Sequence, residues 1–453
     1  MGLNKMIIKL SGQVIKRRRL DYMLLAALVL LIATGFLVVL SAAGGLSFGR
    51  EIIHKYISAV PLAAGAFIFG WLFNYQIYNE QWKAVYVFIL ALLGAVLFAG
   101  AIVRNTSGWF RLGSFSVQPA EICRIALVLV AAAFLTRNSR NVRDFKTLVL
   151  FGMLIAPAFL LIMLQPDFSS LVITAPALLI LLYAAGVNLF YFALLGAFAL
   201  AAGVFPILWT FTALRPEVME AGGFMYIIGR TAHSWVYALG FCAAVLAAFA
   251  IVWQGLKQFR VYLPAVFVFI MASAVISGFW CGFFVNKHLK NYQRKRIEAF
   301  LSPETDPKGA GYNVLQARIA MGAGGVTGKG LFSGTQSKLG FVPEKHTDFI
   351  LAVLGEELGL LGTLCVLALY MVLLWRTAAV AGMAGDRYGG LVCCGVFGIF
   401  FTYMTVNFGM LIGFVPVAGV PLPFISYGGS NLVASMWAFG LVESVYSRRL
   451  TMV

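Results

Sequence analysis

The feature that constrains this chain most is the recurrence of apolar runs, each about as long as a lipid bilayer is thick. They lie at about residues 22–43, 52–73, 84–103, 117–136, 147–165, 168–186, 189–211, 235–253, 261–284, 348–375, 388–412 and 422–445. A helix of roughly 20 apolar residues spans the hydrocarbon core. The sequence therefore predicts an all-α, polytopic membrane helical bundle of twelve transmembrane helices within one membrane domain, residues 1–453. Composition agrees: 61% of residues are hydrophobic and 11% charged, too apolar for a string of soluble domains. The first run is long and lacks a small-residue cleavage site, so it reads as a retained helix rather than a signal peptide.

The net charge of +17 does not imply nucleic-acid binding, because the basic residues sit in short loops and gather on no soluble domain. Membrane lipid is the partner they fit. Lys5, Lys9, Lys16, Arg17, Arg18 and Arg19 precede the first span, Arg137, Arg140, Arg143 and Lys146 follow the fourth, and Lys257 and Arg260 follow the eighth. Arg376 and Arg387 follow the tenth, and Arg448 and Arg449 close the chain. All fall on one side, which the positive-inside rule makes cytoplasmic, with both termini there. The six cysteines lie in or beside apolar spans without CxxC spacing, so packing, not a disulfide framework or zinc site, is their expected role.

Two long loops fall on the opposite side, at about 212–234 and 285–347. The second is longer than a connector needs, and long ordered loops usually carry function. It holds a basic stretch (Arg294, Lys295, Arg296), an amphipathic segment from Tyr312 to Met321, and glycines at 322, 324, 325, 328, 330 and 334. Such glycines allow close approach of backbone to a ligand. The spacing is not that of a Walker A loop, so nucleotide binding is not expected.

Ionisable groups stand where hydrocarbon should disfavour them. Glu121 and Arg124, three residues apart at the start of the fourth span, share a helix face and can pair; a structural ion pair and a substrate role explain them equally well. Asp167, after Gln165 and Pro166, reads first as a turn residue and N-cap. Asp348 follows Thr347, which can cap the tenth span, and alone it reads as a first-turn acid complementing the helix dipole. Glu344 and His346 read as loop residues, and Glu356 and Glu357 lie two turns further in. Arg104, Arg111, Arg296 and Lys338 map to the outer side, where basic residues are disfavoured. A cluster of outward arginines calls for an anion, and a phosphate matches the guanidinium fork.

Five segments, SVQPAEICRIALV, LQPDFSS, the run from YQRKRIEAFLSPETDPKGAGYN to GGVTGKGL, FVPEKHTDFILAVLGEELG and NFGMLIGFVPVAGVPLPFISYGGSNL, resemble in order those of the shape, elongation, division and sporulation (SEDS) membrane glycosyltransferases. These polymerise peptidoglycan from lipid II. The resemblance covers nearly the whole chain, and GKGLFSGTQSKLGFVPEKHTDF is more similar to elongation-type than to division-type members. It implies attack of a sugar 4-hydroxyl on an anomeric carbon with undecaprenyl diphosphate leaving. Asp348 is then the general base, and Arg111, Glu121, Arg124, Asp167, Arg296, Lys338, His346 and Ser426 are substrate-binding. Positive charge, from Arg111 and Arg296 above all, stabilises the leaving diphosphate, with or without a divalent cation (Mg or Mn). Glu356 and Glu357 are expected to face bundle or loop interior. The partners implied are a single-spanning class B penicillin-binding protein acting as transpeptidase and other elongation-complex membrane proteins, in the bacterial cytoplasmic membrane.

Three departures stand out. Arg124 occupies the place of the family's usual Lys, Phe168-Ser169-Ser170 stands where Leu-Gly-Thr commonly follows the Asp, and residues 212–289 read as an inserted pair of helices added to ten. Three rival functions remain open at this stage: a lipid II flippase or transporter, a non-enzymatic scaffold, and the division-type polymerase.

Overall fold

The computed structural model describes residues 20–44, 49–103, 106–112, 115–220, 222–261, 263–289, 291–305, 309–341 and 344–450. The basic residues from Lys5 to Arg19 and Arg104 lie outside this set, as does the side chain of Arg111. The long helices are α1 (Tyr22–Ala43), α2 (Gly49–Leu72), α4 (Trp82–Ala99), α5 (Pro119–Arg137), α6 (Phe145–Leu164), α7 (Phe168–Ala185), α8 (Leu189–Leu214), α11 (Trp235–Gln258), α12 (Ala265–His288), α16 (Ile350–Met383), α17 (Arg387–Ile412) and α18 (Gly429–Arg448). Shorter ones are α3 (Gln76–Glu80), α9 (Pro216–Glu220), α10 (Gly223–Thr231), α13 (Asn291–Leu301), α14 (Ala310–Ala323) and α15 (Thr335–Lys338).

Among the described residues eleven helices are long and apolar enough to cross a membrane, and the chain is a multi-pass membrane protein. The twelfth expected span is α18, 20 residues long and less apolar. It can be so because Asn431, Ser435, Glu443 and Ser444 face protein, not lipid. An unexpected feature is a small antiparallel sheet between α4 and α5, formed by β1 (Ala101–Val103), β2 (Thr106–Leu112) and β3 (Phe115–Val117). The loop between the third and fourth expected spans thus carries β-structure.

Burial ranks the helices. In α5, 83% of the span is buried and in α17, 72%, whereas α11 has 6%. The centre is therefore α5 and α17, flanked by α7, α16 and α18, with α11 at the rim. A second, smaller apolar core joins α8, α10, α11 and α12 through Ala201, Phe205, Trp209, Ile228, Ala238 and Phe279. The start of α1 and the far ends of α16 and α18 meet on one side. There Arg376 donates from Nε (2.9 Å) and Nη2 (2.6 Å) to Asp21, whose amide donates to Glu443 Oε1 at 2.7 Å. Asp348 lies at the opposite end of α16.

The glycine-rich segment after α14 explains a break in α16. Gly359 leaves the helix at φ 67° and ψ −163°, which strands the ladder bonds on either side of it, and buried backbone groups must find other partners. The strap of residues 324–341 supplies them. Leu360 and Leu361 donate to the carbonyls of Gly325 (2.9 Å) and Val326 (3.1 Å), while the carbonyls of Glu356 and Glu357 accept from Lys329 (3.1 Å) and Gly330 (2.9 Å). A Cβ at Gly324 or Gly328 would collide with the carbonyls of Gly355 or Glu357. The expectation that these glycines admit a ligand is corrected here: at Gly324 and Gly328 the close approach is to α16.

Candidate active site

A cavity of about 320 Å³ opens among α5, α7, α13, α17, the β2–β3 hairpin and the loop before α18. Its wall brings together Glu121, Arg124, Asp167, Arg296 and Asp348, five of the residues the sequence singles out. Residues more than two hundred positions apart thus share one space. Asp348 stands in the turn of residues 344–349, ahead of Ile350 where α16 begins. Thr347 does not cap the helix, contrary to expectation: its hydroxyl donates to Glu344 Oε2 at 3.0 Å, and Phe349 is the N-cap residue.

The Asp348 turn is held from two sides. From the loop before α18, the amide of Tyr427 donates to the His346 carbonyl (2.8 Å) and Ser426 Oγ to the Thr347 carbonyl (2.7 Å). Asn407 of α17 donates to the Asp348 carbonyl at 3.3 Å and to Val420 at 2.6 Å. From the strap side, buried Lys345 donates to the Ser337 carbonyl, and burial holds its ammonium pKa below the ordinary lysine value. Ser337 is fixed in turn by Glu356. That fully buried carboxylate accepts from Lys329 Nζ (3.1 Å), Thr335 Oγ1 (3.1 Å), Gln336 N (2.8 Å) and Ser337 N (3.0 Å). Glu357 is likewise buried and accepts from Ser41. The expectation that both glutamates face bundle or loop interior is met.

Arg296 projects from α13 and donates to the Ala418 carbonyl at 3.1 Å. A Cβ built on Gly419 would lie 3.2 Å from Arg296 Nη2 and 3.5 Å from Asp348 Oδ2. Cation and carboxylate therefore converge on the same glycine.

Deeper in the cavity, Glu121 and Arg124 do not form the expected ion pair. Arg124 donates to Tyr403 OH and, at 3.0 Å, to Ser170 Oγ, while Glu121 accepts from Ser430. The reason is position: α17, α18 and α7 pack around α5 and offer each group a neutral partner on its own side. Asp167 caps α7, accepting from Ser170 N at 3.1 Å, and also accepts from Gln118 Nε2 at 2.7 Å. Its turn role and its place in the cavity coexist. Ser170, one of the departures from the family pattern, links Asp167 to Arg124.

Three expected binding residues lie elsewhere. Lys338 ends α15, exposed and off the cavity wall. The His346 ring packs 5.8 Å from that of Tyr427, and Ser426 is buried behind the Asp348 turn, so neither lines the cavity. Arg111 lies in β2 opposite Ser116. Sequence reasoning missed Gln118, Tyr403, Tyr427, Ser430 and Asn431 on the wall. Asn431 donates to Tyr403 OH at 2.9 Å. A lone tyrosine inside an apolar run gives no signal, whereas Ser430 and Asn431 sit in the SYGGSN motif and were within reach.

The family model FTSW_RODA_SPOVE, described as cell cycle protein, matches residues 21–219 and 238–450. The chain belongs to this family. Peptidoglycan glycosyltransferase MrdB of Escherichia coli K12 is 32% identical over 431 residues, covering 95% of this chain and 94% of that protein. Peptidoglycan glycosyltransferase RodA of Treponema pallidum is 31% identical over 438 residues, covering 95% and 98%. The fold is also that of a chain in the structure "Structural coordination of polymerization and crosslinking by a peptidoglycan synthase complex", with TM-score 0.64 and 22% identity over 95% of this chain and 98% of that one.

Proposed function

We infer that this member of the family is a peptidoglycan glycosyltransferase of the elongation type, which polymerises lipid II with Asp348 as general base. The observation that carries the reading is the convergence of Asp348 and Arg296 on Gly419 at the wall of one cavity. Glycosyl transfer from a diphosphate needs a base for the attacking hydroxyl and positive charge for the leaving group, but no second acid, since diphosphate leaves unprotonated. The Asp348 carboxylate removes the proton of the sugar 4-hydroxyl as that oxygen bonds to the anomeric carbon, and the bond to the diphosphate breaks. Arg296 is placed to take up the charge that develops there. Arg124, Glu121 and Asp167 bind polar groups of the same substrate.

A Mg or Mn ion is proposed only as one that the substrate diphosphate would carry in, since such ions are held by phosphate oxygens with one or two carboxylates. Among the described residues no group of three or more His, Cys, Asp or Glu could hold a metal, and Asp167 and Glu121 are already engaged by protein donors. The elongation role rests on the relatives named RodA and MrdB. A class B penicillin-binding protein is the proposed partner, supported by the synthase complex whose chain shares this fold. Residues 212–289 are proposed as an inserted hairpin, supported by the separate apolar core that α10, α11 and α12 build on α8. Both termini are proposed to be cytoplasmic, because Asp21 and Glu443 meet at the end away from Asp348. The test is polymerisation of lipid II by the purified protein in vesicles, with and without the transpeptidase. Glycan strands support the reading, and lipid II movement across the vesicle without glycan would replace it with the flippase.

A further inference from the structure

The strap of residues 324–341 exposes an apolar face that the proposed chemistry does not use. Val326 (60% exposed), Leu331, Phe332, Leu339 (69% exposed) and Phe341 all reach the protein surface. Phe332 does so from a left-handed backbone, φ 60°, an outlier for a bulky residue that persists only where surroundings hold it.

The depth of this face follows from α1, which packs along α16 and, unlike α16 with its break at Gly359, is one unbroken helix. The Arg376 pair with Asp21 marks the polar boundary at one end. Counting about 20 residues, or roughly 30 Å, from Asp21 along α1 reaches Ser41, which donates to Glu357 of α16. The strap bonds to α16 between Glu356 and Leu361. It therefore lies at the level where hydrocarbon gives way to headgroups on the side of Asp348. Below it, Leu360, Leu361 and Leu364 are exposed on α16, so the lipid-facing surface of the span continues upward into the strap's exposed face. Exposed Lys338 beside Leu339 adds the cation that interfacial elements carry.

We propose that the strap lies in the outer membrane interface, with Leu331, Phe332, Leu339 and Phe341 inserted among the acyl chains of that leaflet. The lipid anchors the strap, and through Lys345 and Ser337 the strap anchors the Asp348 turn. The occupant of the face is phospholipid, not a protein.

The test uses the full chain in phosphatidylglycerol nanodiscs, with the photo-crosslinker p-benzoylphenylalanine placed in turn at Phe332, Phe341 and Leu339. Phe269, exposed on α12, is the lipid-facing reference, and Glu304, exposed in the outer loop, is the aqueous one. Mass spectrometry after irradiation should find phospholipid adducts at the strap positions in yields like that at Phe269 and several-fold above that at Glu304. Yields at the Glu304 level, or adducts to a second protein chain, would overturn the proposal. If the Phe332 position fails to fold because of its backbone, Phe341 and Leu339 still decide the question.

Discussion

Replacing Gly359 by alanine should detach the strap while leaving α16 intact. Gly359 adopts φ 67°, ψ −163°, a region open essentially to glycine alone, where another residue costs about 1–3 kcal/mol. Alanine also favours the straight helix by about 1 kcal/mol over glycine. The sum, about 2–4 kcal/mol, shifts the balance toward the straight helix by a factor of roughly 30 to 1,000. Contacts add to this, since the new methyl would collide with Gly328 N. In a straight helix the amides of Leu360 and Leu361 regain the carbonyls of Glu356 and Glu357, so they stay protected. The amides of Lys329 and Gly330 lose those same carbonyls. Hydrogen exchange read by mass spectrometry in nanodiscs should show faster exchange across residues 324–341 by at least about tenfold, with α17 unchanged. Unchanged protection of the strap in a folded variant would refute the reasoning.

Further outcomes follow from the same contacts. Gly419→Ala, at φ 68° and against both Arg296 and Asp348, should cut glycan synthesis far more than it lowers the melting temperature; equal losses in both would contradict the placement of the site. Arg124→Lys keeps the charge but cannot serve Tyr403 and Ser170 together, and polymerisation should fall by about tenfold or more, the equivalent of losing one charge-assisted hydrogen bond; wild-type rates would show the fork is not used. Burial lowers the Lys345 pKa, so the folded state binds fewer protons than the unfolded state between that lowered value and about 10.5, and its stability rises with pH there. Thermal unfolding from neutral to alkaline pH should show a rise in the parent that is smaller in Lys345→Met.

Much of this architecture is legible in the sequence because hydrocarbon imposes a length and an apolarity that few other settings require. The first run, 22–43, coincides with α1. Other spans lie within a few residues of their runs, except that α16 runs on to Met383, past the Arg376 boundary, and α18 starts only at Gly429, after a buried loop. The site is legible in part for the same reason: Glu121, Arg124 and Asp167 stand out because charge there is expensive. Partners are not legible. The Glu121 and Arg124 spacing suggests a pair, but the groups that satisfy them come from helices distant in sequence. The β-hairpin hides inside what reads as the end of a span, because Ala101, Ile102 and Val103 are as apolar as helix. The strap hides because its glycines signal close approach without saying to what.

The central claim is that Asp348 is the base. The most direct measurement is lipid II polymerisation by purified Asp348→Asn beside wild type, each with and without a class B transpeptidase, with glycan length read on a gel. The amide keeps the size of the side chain but cannot take the hydroxyl proton. Glycan from wild type and none from a folded Asp348→Asn is the predicted result. Glycan from Asp348→Asn at the wild-type rate would contradict the account.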